Sequence, residues 1–278
     1  MPPRRRSAVL ALIVTGVYVA AVAVAVVVAT ATGDLVPLWR LTIMQEPDAA
    51  ATGQDVLVAA LTAVPWAWAL WQVLRGPLET APRGEEEPRV RRARFALYAA
   101  AATTLLLHPL TAPWPWWADV ISALSMWAVA VLIHPVLVRP VLRPRLKGAE
   151  LVRSAGALGF GGATVVALLG LAGLPDIDLL YLVIAVATLV WTVLVLLAQR
   201  DDGRWRPGTV AYGVAALVTP WLGLLVPAVL AMSGTPVESG WTLIGGLGAL
   251  AGALQVVWLA RSGHDLAAPA SRPVPVTG

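Results

Sequence analysis

The sequence predicts an all-α integral membrane protein: one bundle of eight transmembrane helices with both termini cytoplasmic. Three observations carry this. Of 278 residues, 58% are hydrophobic and only 13% charged, against roughly 45–50% and about 25% in a soluble domain. The mean hydropathy is +0.76. Eight stretches without Asp, Glu, Lys or Arg are each long enough to cross a hydrocarbon core. The basic residues fall in alternate connections. This composition excludes a soluble globule, a disordered chain and a soluble nucleic-acid binder.

The eight stretches are 8–31, 56–74, 95–112, 120–138, 154–174, 179–199, 208–231 and 241–260. At ~1.5 Å per residue each spans a core of about 30 Å. They must be helices, because hydrocarbon offers no partner to an open backbone group. The alternating pattern of barrel strands is missing.

The first stretch follows Arg4, Arg5 and Arg6. It is far longer than the roughly 7–15 apolar residues of a cleaved signal, so it reads as a retained anchor. The connection 32–55 holds an apolar piece, Val36 to Met44, suited to lying in the interface. After the second stretch, residues 75–94 are charged and Pro-containing and carry six arginines. The connections after the fourth and sixth stretches are basic too. In all, 19 basic residues fall on one side and Arg40 alone on the other. That split sets both termini in the cytoplasm. Trp114, Trp116, Trp117 and Trp241 mark outer boundaries, and Trp71, Trp205 and Trp258 inner ones. The transmembrane domain is therefore placed at 1–261, and 262–278 is read as a disordered cytoplasmic tail. Tyr98 and Tyr212, with Trp117 and Trp241, hint at parallel halves. Aromatics at span edges are expected anyway, so no duplication is inferred.

The eight stretches hold no charged residue, although most ion-coupled carriers and proton pumps place ionisable groups within the membrane. There is no cysteine, so disulfides, thiolate metal sites and thiol catalysis are excluded. His108 and His134 precede Pro109 and Pro135 at opposite ends of neighbouring spans, and His264 lies in the tail. No shared metal or haem is expected of them. Asp176-Ile177-Asp178 and Asp201-Asp202 are isolated acidic pairs in turns. Gly159-Phe160-Gly161-Gly162 lacks the Lys-Ser/Thr of a phosphate loop. Glu86-Glu87-Pro88-Arg89-Val90-Arg91 matches the EExxxR string of CAAX-type intramembrane proteases. That motif belongs on a transmembrane helix, and here it contains proline in a charged connection, so the match is coincidental. No catalytic, cofactor or metal residue is assigned.

Two sets of residues are singled out. Small residues repeat at helical spacing at Gly159, Ala163 and Ala167, at Gly245, Ala249 and Ala253, and at Gly248 and Gly252. Such rows let helices approach closely, within one chain or across a homodimer. His108, Trp127, Thr219, Pro220 and Trp221 fall in one layer, about 18–20 Å from the inner face at ~1.5 Å per residue. Pro220 frees the carbonyl of Ala216, which a His, a Thr hydroxyl or water could satisfy, so this layer is the expected lining of any cavity.

The arginine excess over a single lysine, with abundant Ala, Val, Gly and Pro, reads as a high-GC bacterial genome and hence a plasma-membrane protein. The preferred function is a permease-like subunit or a component of a membrane assembly. The expected partners are the lipid bilayer and other membrane proteins or a second copy, with no nucleic acid. Two alternatives stay open: a stand-alone transporter of an apolar or uncharged solute, and a membrane enzyme on a lipid-linked substrate.

Overall fold

The computed structural model describes residues 3–42, 52–76, 87–110, 116–138, 146–172, 178–232 and 241–267. Of these, 94% are helical, and no strand occurs among them. The helices are α1 (Pro3–Thr32), α2 (Val36–Thr42), α3 (Gly53–Leu74), α4 (Pro88–Leu110) and α5 (Trp116–Ile133). They continue with α6 (Leu146–Gly156), α7 (Gly162–Leu171), α8 (Asp178–Asp202), α9 (Pro207–Met232) and α10 (Trp241–Leu266). Two π-helical segments, His134–Val138 and Ala157–Gly161, extend α5 and join α6 to α7.

Six helical stretches among the described residues are long and apolar enough to cross a membrane: Ala8–Thr32, Gly53–Leu74, Trp117–Val138, Gly148–Gly170, Leu179–Asp202 and Leu243–Leu266. This is the make-up of a multi-pass membrane protein. The other two predicted spans, 95–112 and 208–231, overlap α4 and α9 but are not among the six.

Local chemistry explains the helix ends. The hydroxyls of Thr30 and Thr32 donate to Val26 O and Val28 O one turn back, which satisfies them inside α1. Gly33 then turns left-handed (φ 75°) and donates its N–H to Ala29 O, closing the helix. Asp34 Oδ1 accepts the Val36 N–H and starts α2. Thr52 and Asp55 form a reciprocal capping box at the start of α3. Pro88 and Pro207 each take the first position of a helix, where a missing N–H costs nothing. Pro135 sits in the π-helical segment that ends α5, where a widened turn accommodates its missing donor.

The chain divides into two compact units. One comprises residues 1–76, 100–122 and 211–260. Here α1, α2 and α3 pack around Val22, Ala25, Ala29, Leu38, Trp39, Ala59 and Ala63, joined by Ala249 of α10. The Tyr18 hydroxyl donates to Leu41 O at 2.8 Å and ties α2 to α1. Gly252 of α10 lies against the Trp66 ring. The second unit comprises 77–99, 123–210 and 261–278. In it the α6–π–α7 rod lies on α8. A Cβ added at Gly156 would sit 2.7 Å from the Trp191 ring, and one at Gly159 2.9 Å from Thr188 N. Phe160 meets Trp191 edge to face, with ring centroids 5.0 Å apart.

The structure moves one predicted boundary. The expected tail begins at 262, but α10 continues to Leu266, and Ser262, His264, Asp265 and Leu266 are buried. Charge marks where hydrocarbon ends, whereas a helix can run on while its polar side chains find partners. Residues 268–278 lie outside the described residues.

Candidate functional site

The prominent polar cluster of the second unit is built where α8 ends, α9 begins and the last turns of α10 arrive. Gly203 reverses the chain after α8 with a left-handed φ of 69°. Arg206 then stands at the mouth of α9, one residue before Pro207. Asp265 of α10 meets it there: its Oδ2 accepts the Thr209 hydroxyl at 2.6 Å and the Arg206 N–H at 3.1 Å. Arg206 Nε lies 3.7 Å from its other oxygen. A carboxylate thus covers a helix N-terminus, where the backbone dipoles favour negative charge. Within the turn, Asp202 Oδ2 accepts Arg204 Nε at 2.6 Å and Trp205 Nε1 at 2.8 Å. Arg204 Nη2 continues to Val136 O in the π-helical segment after α5, at 2.9 Å.

A second layer lies beside it. Gln199 Nε2 donates to Ser262 Oγ at 3.0 Å, with both residues fully buried. The Tyr98 ring lies between Arg94, whose guanidinium carbon is 5.9 Å from the ring centre, and His264, with centroids 5.6 Å apart. Gly263 is required for this approach, because an added Cβ would sit 2.8 Å from Tyr98 Cε1. Both carboxylates are occupied by donors of their own chain. The arrangement therefore joins helix ends.

The first unit offers a site of opposite character. A cleft of about 670 Å³ runs between α3 and α10, walled by Val58, Leu61, Thr62, Val64, Pro65, Trp68, Leu243, Gly246, Leu247 and Leu250. Gly246 brings the α10 backbone close to α3: an added Cβ would sit 3.2 Å from Val58 Cγ1 and 3.3 Å from Thr62 Oγ1. The Thr62 hydroxyl donates to Val58 O, leaving its lone pairs as acceptors. Pro65, inside α3, supplies no N–H to the Leu61 carbonyl. Trp68 meets Tyr212 edge to face at 5.3 Å. A smaller cavity of about 430 Å³ lies between the C-terminal end of α1 and the start of α3, lined by Thr30, Gly33, Thr52 and Val56 among others.

No known family model, curated protein or solved structure matches this chain.

Trp127, Thr219, Pro220 and Trp221 line neither of these two cavities. Trp221 is 53% exposed. Thr219 is buried, but its hydroxyl donates to Ala215 O, one residue short of the carbonyl that Pro220 frees. The geometry is that of a threonine bonding back four residues along its own helix. Trp127 is 38% exposed, and its indole lies over Gly161. His108 lies in α4, with its side chain outside the described residues, as are the side chains of Trp116 and Trp241 and the whole of Trp114 and Asp176.

Among the packing glycines, Gly159 makes the close approach given above. Gly252 is in ordinary contact with Trp66, and Gly245 is half-buried. At Gly248 a Cβ would meet nothing within 4 Å among the described residues. The α10 face that meets α3 includes Gly246 and Gly252, with Ala249 buried beside Ala59 and Ala63. Residues that sequence reasoning missed are Gln199, Asp202, Thr209, Ser262 and Asp265. One signal was available for the last two. Ser262 and Asp265 continue the spacing of Trp258 at i+4 and i+7, the face that α10 already buries.

Proposed function

We propose that this chain is an eight-span plasma-membrane protein with both termini cytoplasmic, a permease-like unit that takes an apolar or uncharged solute. The observation that carries it is the cleft between α3 and α10. Its walls are apolar save for Thr62, whose hydroxyl can accept from a solute with at most a hydroxyl or amide. A charged solute would lose its hydration there without a counter-ion, at a cost of several kcal/mol or more. The alternating basic connections support the orientation. α4 and α9 supply the two spans beyond the six apolar stretches.

The test is binding of a neutral naphthylamine dye to the purified chain in detergent, read by fluorescence. Gly246→Trp places an indole between the two walls. Wild type should bind saturably and the variant several-fold more weakly at equal thermal stability. Equal binding by both, or none by wild type, removes the cleft as the solute site.

A second reading, a component of a membrane assembly, draws on Gly248. Its bare backbone faces outward on α10, which suits the close approach of a helix from another chain or a second copy.

A further inference from the structure

The first two turns of α4 carry four arginines, which are placed differently. Arg89 faces Glu87, with Nε 3.7 Å from its carboxylate. Arg94 lies over the Tyr98 ring. Arg91 and Arg92 are exposed, and neither pairs with a carboxylate among the described residues. No acidic residue occupies the first turn of α4. Two exposed guanidiniums, without a carboxylate partner among the described residues, therefore stand near the positive end of a helix, an arrangement that lowers its stability unless an anion joins it. Phe95 follows four and three residues later, so it shares their face of the helix. It is 75% exposed, the most exposed aromatic side chain described. Its ring sits about 5 Å further along the axis, one turn into the apolar stretch.

We propose that Arg91, Arg92 and Phe95 form a binding face for an anionic phospholipid of the cytoplasmic leaflet. The inference rests on the proposed orientation of the chain. Charge complementarity selects the lipid. Guanidinium groups are planar donors that hold phosphate oxygens two at a time. They sit at headgroup level, and the phenyl ring lies alongside the first part of an acyl chain. A zwitterionic lipid offers the same phosphate but carries an ammonium group that the arginines repel. Free phosphate lacks the chain that Phe95 contacts.

The experiment uses the purified full chain in mild detergent, titrated with phosphatidylglycerol or phosphatidylcholine, with bound lipid counted by native mass spectrometry. At roughly fivefold per arginine near an anionic partner, wild type should prefer phosphatidylglycerol by about 25-fold. R91Q/R92Q should bring the two lipids to near parity. R153Q/R200Q removes the same net charge from exposed positions on other helices and should keep the preference. Phe95→Gln, which spares both arginines, should weaken phosphatidylglycerol binding alone and serves if the first variant unfolds. Three results would overturn the proposal. One is equal loss in R91Q/R92Q and R153Q/R200Q. Another is displacement of the lipid by millimolar inorganic phosphate. The last is a wild type without preference between the two lipids. Dye binding in the α3–α10 cleft is measured separately, so failure here leaves that reading standing.

Discussion

A methyl group added at Gly159 would lie 2.9 Å from the backbone nitrogen of Thr188, which cannot move without shifting α8. The same methyl at Gly248 meets nothing within 4 Å among the described residues. Spacing treats the two glycines alike, since each begins a small row on an apolar helix. What separates them is the neighbour, which spacing does not contain. Gly159→Ala is therefore expected to destabilise the chain by about 1–3 kcal/mol, the usual cost of overpacking. Gly248→Ala should be neutral or slightly stabilising, because alanine favours the helix and nothing opposes it. Thermal unfolding in detergent compares the two. A Gly248 variant that unfolds as early as the Gly159 variant would place an undescribed neighbour against α10.

The ends of α9 and α10 are held to each other by one carboxylate. Removing it in Asp265→Ala leaves the Thr209 hydroxyl and the Arg206 N–H without their acceptor, and Thr209 is buried. A hydrogen bond to a charged group is worth about 1.5–3 kcal/mol, so a loss in that range is expected. Thr209→Val should cost less, and the double variant less than the sum of the singles, because the two share one bond. Strict additivity in a thermal-unfolding cycle would show that the bond contributes nothing. This tie was not legible in the sequence, and the reason is physical. A charge-free run locates the slab of hydrocarbon, and all eight predicted runs do overlap described helices. It says nothing of how far a helix continues beyond the slab. Pro88–Arg94, Arg200–Asp202 and Arg261–Leu266 are helical and polar, and the second unit joins its helix ends there. The α3–α10 cleft was hidden for a different reason. Sequence shows Pro65 within the second stretch, but the helix facing it emerges only when Gly246 is seen beside Thr62. The layer at His108 and Trp221 came from depth alone, and depth does not say which way a side chain faces.

For the molecule as a whole, the decisive quantity is the division of 19 basic residues from Arg40. Under the proposed orientation it goes with an even number of crossings between Arg4 and Arg261. A reporter fused after Ala267 should read cytoplasmic, and one inserted near Gly234 should read external. A C-terminal fusion active only outside the cytoplasm would make the number of crossings odd. It would remove either α4 or α9 from the spans, the two helices outside the six apolar stretches.

The carboxylate of Asp265 also fixes an order of events. Thr209 and Arg206 leave the ribosome more than fifty residues ahead of the group that completes their helix end. Until α10 has been made and threaded, the mouth of α9 lacks its native acceptor and must rely on water. The tie is thus a late one: the start of α9 is completed only when the end of α10 reaches it.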